Sequence, residues 1–205
     1  MKITIVGSGN VGTALGQGLS RAGHDITFGV RNPESPKSIK AISMIPNATI
    51  QTIKDGCKNA EVIIITTPPE VVLELIPDLG DLKGKTMIDA TNSIRSKPEP
   101  FPTAYHALKA LTKSQNIAKC FNTTGFENMA NPIYNEKGID MFVAGDNEEA
   151  KKIAQQLAVE IGFENCYNFG GDDKVELLEK FALSWINLAI MQGHGRNLAV
   201  KLLSR

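Results

Sequence analysis

Glycines at positions 7, 9 and 12 follow directly on the run Lys2-Ile3-Thr4-Ile5-Val6, and this spacing serves one kind of chemistry. Gly7 allows a tight turn out of a strand, and Gly9 leaves bare backbone against which a pyrophosphate can rest. Gly12 lets the following helix pack closely on the strand. That helix would aim its free N–H groups and positive dipole end at the phosphates. A second strand, Asp25-Ile26-Thr27-Phe28, then leads into Gly29-Val30-Arg31-Asn32. Strand, glycine turn, helix and strand together make a dinucleotide-binding unit.

NAD-binding versions of this unit carry a carboxylate on the ribose hydroxyls, about 20 residues beyond the glycines. Here Val30, Arg31 and Asn32 occupy that place, and no acid occurs until Glu34. A carboxylate would repel a 2′-phosphate, whereas a guanidinium pairs with one through charge-assisted hydrogen bonds. The expected nucleotide is NADP(H), with Arg31 on the 2′-phosphate and Asn32 assisting. Ser35 and Lys37 are weaker candidates for the same phosphate.

A second set of chemistry-bearing residues sits at the predicted ends of later strands: Thr66-Thr67-Pro68-Pro69, Thr91-Asn92-Ser93 and Asn122-Thr123-Thr124. Ligands of doubly wound sheets bind beyond the carboxyl ends of the strands. These hydroxyls, amides and prolines can hold a carboxamide and shape a slot, with Asp89 the nearest acid and Asn122 and Thr123 as positioning candidates. They offer no nucleophile, no acid–base pair and no metal-ligand spacing. Hydride transfer between two stacked rings needs placement of the reacting carbons more than it needs proton chemistry. Of the histidines, His24 reads as structural in a helix–strand turn, while His106 and His194 are weak functional candidates.

The elements that must position these groups follow from the hydrophobic pattern. Strands and helices alternate almost to the end, which predicts an α/β fold of Rossmann type, doubly wound with a mostly parallel sheet. Predicted helices include 13–22, 38–44, 52–60, 69–75, 103–112 and 148–161. Predicted strands include 48–50, 61–66, 86–89, 117–121, 140–144 and 164–169. Beyond Gly170-Gly171-Asp172 the pattern is helical only, Lys174 to Gln192 and then Asn197 to Leu203. Residues 1–170 are read as the NADP-binding domain and 171–205 as C-terminal helices completing the substrate cleft, in one compact unit. Trp185 reads as a packing residue, with the wall of a ring-stacking pocket as the alternative.

Composition bounds the partners. The chain has 205 residues, 42% of them hydrophobic, with 22 basic and 22 acidic side chains and a formal charge of zero. That is enough to bury a core, and nothing in it favours nucleic acid or an anionic membrane. No segment reads as a signal peptide or a bilayer span. Cys57, Cys120 and Cys166 are odd in number and far apart, which suits a reduced, cytoplasmic protein. The expected partner is a small-molecule substrate, with a homodimer through the helical tail as a further expectation.

Several blocks together resemble the coenzyme F-420-dependent NADP oxidoreductases: Gly7–Gly12 with Gly29-Val30-Arg31, Ile64-Ile65-Thr66-Thr67-Pro68, Lys119-Cys120-Phe121-Asn122-Thr123-Thr124-Gly125, and Ala144-Gly145-Asp146-Asn147-Glu148. The tail from Leu177 through Trp185 to Gly193-His194-Gly195-Arg196-Asn197 continues the likeness. The resemblance implies hydride transfer between NADP(H) and a deazaflavin, F-420, or a flavin-like acceptor. It also implies phosphate binding at Ser8, Gly9, Asn10 and Val11, and a 2′-phosphate subsite at Val30 and Arg31. Deazaflavin-using members of the family often carry serine where Val30 stands, and can carry histidine where Asn122 stands. The alternatives are a reductase of another small acceptor (free flavin, quinone, imine) and a non-catalytic NADP(H)-binding sensor.

Overall fold

Side chains on the central strands alternate between two apolar faces, and that alternation sorts the core into two layers. Ile3, Ile5, Val62, Ile64, Ile88, Ala118 and Cys120 face one cluster. Val6, Ile63, Ile65, Met87 and Ile117 face the other. The computed structural model describes residues 1–45 and 47–205, the side chain of Lys37 excepted, so the expectation for Lys37 lies outside the described residues.

The chain opens with β1 (Lys2–Val6), α1 (Asn10–Arg21), β2 (Asp25–Val30), α2 (Pro36–Ser43), β3 (Thr49–Thr52), α3 (Ile53–Lys58) and β4 (Val62–Ile65). Next come α4 (Val72–Leu75), β5 (Thr86–Asp89), α5 (Ala104–Thr112), β6 (Ile117–Cys120) and α6 (Phe126–Ala130). A small hairpin, β7 (Ile133–Tyr134) and β8 (Lys137–Gly138), precedes β9 (Asp140–Ala144), α7 (Glu148–Glu160), β10 (Asn165–Gly170) and α8 (Val175–Ile186). Among the described residues eight strands form one sheet in the order β10-β9-β6-β5-β4-β1-β2-β3. The six strands from β3 to β6 run parallel in the doubly wound order. Helices α1, α6 and α7 cover one face, and α3, α4, α5 and α8 cover the other.

The expected α/β Rossmann-type architecture is observed, with one reversal that the sequence pattern did not carry. After β6 the chain returns through the five-residue α6 and the hairpin, with no long helical crossover. The next strand therefore enters from the opposite end, and β9 lies antiparallel to β6 with β10 parallel to β9.

The predicted 69–75 helix is observed, opening as a 3-10 turn at Pro69–Val71, continuing as the short α4 and tightening again over Ile76–Leu79, where Pro77 lacks the N–H for an α-helical bond. One helical expectation is corrected. The predicted helix from Asn197 to Leu203 is not formed, and the segment is irregular backbone. The cause is tertiary: β6 pairs only with Val143 and Ala144, so the first half of β9 lacks a partner on that side. The tail supplies partners, with Asp140 N–H donating to Val200 O at 3.3 Å and Leu202 N–H donating to Asp140 Oδ2 at 2.8 Å. Lys201 Nζ adds contacts to Gly138 O, Asp140 and Glu164. The helix before this tail runs to Met191, close to its expected end, and its last turn widens at Asn187–Met191, where Gln192 N–H reaches back five residues to Asn187 O.

Candidate functional site

At the end of β1 the glycine turn has the geometry its spacing requires. Gly7 holds φ 113°, a backbone region costly for any other residue, and its N–H donates to Gly29 O at 3.0 Å. A Cβ on Gly12 would lie 2.2 Å from Gly7 O, so only glycine lets α1 rise directly from the turn. Thr66, at the end of β4, donates its hydroxyl to Val6 O (3.0 Å) and Gly7 O (3.1 Å) and pins the turn from the neighbouring strand. Gly9 caps α1 with no side-chain cap, and no acidic residue stands in the first helical turn. The leading N–H groups of α1 are therefore not taken up by a cap, and nothing there opposes an anion. Ser8, Gly9 and Asn10 open onto a groove of about 460 Å³ that continues along α1 to Phe126 and Ala130. Val11 packs partly buried against the core.

Arg31 stands exposed at the end of β2, one residue beyond the buried Val30. Its Nη2 donates to Glu74 Oε2 of α4 at 2.6 Å. The sequence placed no acid near Arg31 before Glu34; the fold brings one from 43 residues away. Asn32 Oδ1 accepts from Glu34 N–H at 3.0 Å, and the Ser35 hydroxyl accepts from Ser38 N–H as the cap of α2.

The ends of β4, β5 and β6 lie side by side in the sheet and carry an unusual set of groups. Thr67 Oγ1, Thr91 Oγ1, Asn92 Oδ1 and both amide atoms of Asn122 are buried without a hydrogen-bond partner. Buried polar atoms are nearly always paired, and each orphan costs about 1–3 kcal/mol. Asn122 is delivered there by Phe121, a buried residue at φ 67° that turns the chain sharply out of β6. Pro68 lies exposed beside Thr67. The expected positioning role of Thr123 meets a different placement, because its hydroxyl contacts Met141 Sδ at 3.4 Å within the core. Thr124 accepts from Asn128 Nδ2 at 2.7 Å, so its hydroxyl holds the start of α6.

Two residues that sequence reasoning passed over complete this region. Lys119 is fully buried in β6, and its Nζ donates to Thr91 O at 2.6 Å and Asp89 Oδ2 at 2.9 Å. Glu179 Oε1 of α8 lies 2.8 Å from the same ammonium, an ion pair outside hydrogen-bond alignment. Burial opposes the charge on Lys119, but the Asp89 and Glu179 carboxylates outweigh it and its pKa is raised. Asp89 Oδ1 accepts from Thr91 N–H at 2.9 Å, so both backbone groups of Thr91 are fixed. A lysine and an aspartate inside apolar strand runs were the available signal.

Above this floor, α8 and the tail build a wall. Trp185 presses on Gly125, where a Cβ would lie 2.6 Å from its ring, and donates Nε1–H to Leu198 O at 2.5 Å. Arg196 lies 5.1 Å from the Phe126 ring centre and 5.7 Å from that of Trp185, with Nε on Glu127. His24 is held by Glu160 and the amino terminus, as its structural reading expects. His106 is bonded at 2.8 Å to Thr103, the cap of α5. The three cysteines are free and buried, and burial pushes the Cys57 thiol up to about 12. Among the described residues no helix is long and apolar enough to cross a membrane. A larger groove near Lys83 and Lys113 flanks the amino ends of β5 and β6, away from all of these groups.

Comparison with known proteins accords with the resemblance carried by the sequence blocks. Residues 2–93 match the family described as "NADP oxidoreductase coenzyme F420-dependent". The F420-dependent NADP reductase of Methanothermobacter marburgensis is 26% identical over 98% of this chain and 98% of its own. That of Methanocaldococcus jannaschii is 26% identical over 93% of each chain. A crystal structure assigned as an F420-dependent NADP-reductase from Arthrobacter sp. FB24 superposes over the full length of both chains, with a TM-score of 0.87 and 22% identity.

Proposed function

We propose that this chain is a member of the coenzyme F420-dependent NADP oxidoreductases, which it resembles, and that it transfers a hydride between NADP(H) and a deazaflavin or flavin-like acceptor. The observation that carries the reading is the row of unpartnered polar groups on Thr67, Thr91, Asn92 and Asn122, beside a glycine turn whose helix amides are uncapped. A carboxamide is both donor and acceptor, and Asn122 with its neighbours offers the complement of each. The pyrophosphate would rest on Gly7, Ser8, Gly9, Asn10, Val11 and Gly12, with Thr66 holding the turn rigid. The 2′-phosphate would take Arg31 at the end of Val30, with Asn32 shaping the loop. When bound, NADPH supplies the hydride. The chain's own task is to orient the ring, present one face to the acceptor and exclude water.

The finer parts of the reading rest on separate observations. Residues 1–170 would hold the nucleotide, and residues 171–205 would close the acceptor side through Trp185 and Arg196. Leu183, Leu188, Ile190 and Met191 are 38% to 56% exposed on or after α8, and support a homodimer through this surface. Three reduced, buried thiols are in keeping with a cytoplasmic setting.

The test is to follow NADPH absorbance with purified protein and F-420, FMN, FAD or a quinone in parallel. Oxidation with F-420 and not with the others is the expected result. Oxidation with a flavin or quinone instead moves the acceptor. Tight NADPH binding with no turnover on any of them replaces the enzyme with a sensor.

A further inference from the structure

The Asp89–Lys119–Glu179 cluster has a charge that its hydrogen bonds do not cancel. One lysine faces two acidic side chains, a formal charge of −1 for the group. Asp89 and Lys119 are 0% exposed and Glu179 is 5% exposed, so water screens little of it. Lys119 donates to Asp89 and Thr91 and pairs ionically with Glu179, and Asp89 uses its second oxygen on Thr91. Glu179 Oε2 is buried with no partner at all. The other charges near Glu179, on Lys97, Glu176 and Lys180, line a small cavity of about 150 Å³ but are solvent-exposed. Their fields are screened.

The position of this charge matters more than its size. It is bonded to both backbone groups of Thr91, whose side-chain oxygen is one of the orphans at the strand ends. Lys119 is also three residues before Asn122 on the same chain. We propose that the triad biases this site electrostatically toward the oxidised nicotinamide, making the protein a better receiver of NADP⁺ than of NADPH. The inference rests on the dinucleotide reading above. The dihydropyridine ring of NADPH is neutral and becomes a pyridinium cation when it loses hydride. A fixed negative charge in a low-dielectric floor stabilises only the cation. Glu179 is then a positioning residue for charge. It acts from α8, an element outside the nucleotide-binding strands, and ties the tail to the redox balance of the site.

The experiment is calorimetric binding of NADP⁺ and of NADPH, measured separately, to the wild type and to Glu179→Gln. The variant keeps the side chain's shape, leaves Lys119 bonded to Asp89 and Thr91, and takes the net charge to zero. The expected result is a rise of about tenfold in the Kd for NADP⁺ with less than a twofold change for NADPH. A purely structural role for Glu179 would weaken both nucleotides together. Equal changes in both, or in neither, overturn the proposal while leaving the dinucleotide reading intact. Should the variant fail to fold, the wild-type ratio decides. Binding of NADP⁺ at least as tight as that of NADPH supports the proposal, and a preference of tenfold or more for NADPH overturns it. No binding of either nucleotide to the wild type defeats the dinucleotide reading itself.

Discussion

On the proposed reading Arg31 is the side chain on which nucleotide choice would turn, and it already has a partner. Its guanidinium pairs with Glu74 across the end of β2 and the start of α4, both side chains well exposed. An exposed pair of this kind contributes about 0–1 kcal/mol, so a phosphate dianion can displace it readily. Arg31→Ala should raise the Kd for NADPH by about 10–100-fold and that for NADH by less than twofold, as read by fluorescence titration. Equal losses on both nucleotides would remove Arg31 from the 2′-phosphate. At this scale, legibility followed sequence distance. The turn at Gly7, Gly9 and Gly12 and the polar strand ends were readable because their meaning is local: a turn, a helix start, a strand terminus. Glu74 was not, nor was Glu179, because each acquires its role from a partner far along the chain. Thr123 was misplaced for a related reason. Which of three consecutive polar residues faces the crevice depends on the turn at Phe121, and no propensity announces a phenylalanine at positive φ.

Elements are joined on the α5 and α8 face of the sheet by a second charged cluster. Asp172, just before α8, accepts from Tyr105 of α5 at 2.5 Å and from Asp146 N–H at 2.9 Å, and pairs with Lys109. Burial pushes the Asp172 carboxyl up, but Lys109, Tyr105 and the Asp146 backbone outweigh it and hold its pKa below the usual value. A carboxylate depressed by folding adds stability above its unfolded pKa, and that contribution disappears as pH falls through the folded value. Asp172→Asn should therefore melt lower than the wild type at pH 6–7, and the gap should close as the pH drops below about 4. Thermal denaturation across that range reads it, and a gap that persists or widens in acid would contradict the assignment. The strands of the sheet were legible because apolar alternation is imposed by the two covered faces. The reversal at β9 and the non-helical tail were not. Both depend on how much of β9 is left unpaired by β6, a quantity settled only when the sheet assembles.

For the molecule as a whole, one backbone carbonyl has a disproportionate role. Leu198 O accepts both Asn128 Nδ2 of α6 (2.7 Å) and Trp185 Nε1 of α8 (2.5 Å), and the residues after it run on to satisfy Asp140. A chain ending at Asn197 loses an acceptor shared by two donors, each loss costing about 1–3 kcal/mol. Its melting temperature should fall by about 5–15 °C, while NADPH binding at the proposed glycine-turn site should be kept. An unchanged melting temperature would show that the tail is not needed. The same carbonyl also orders events in time. Asn128 waits for a partner 70 residues further on, and ribosomes add roughly 5–20 residues each second. For several seconds of every synthesis, the six parallel strands can collapse while Trp185 and α6 stay unlatched.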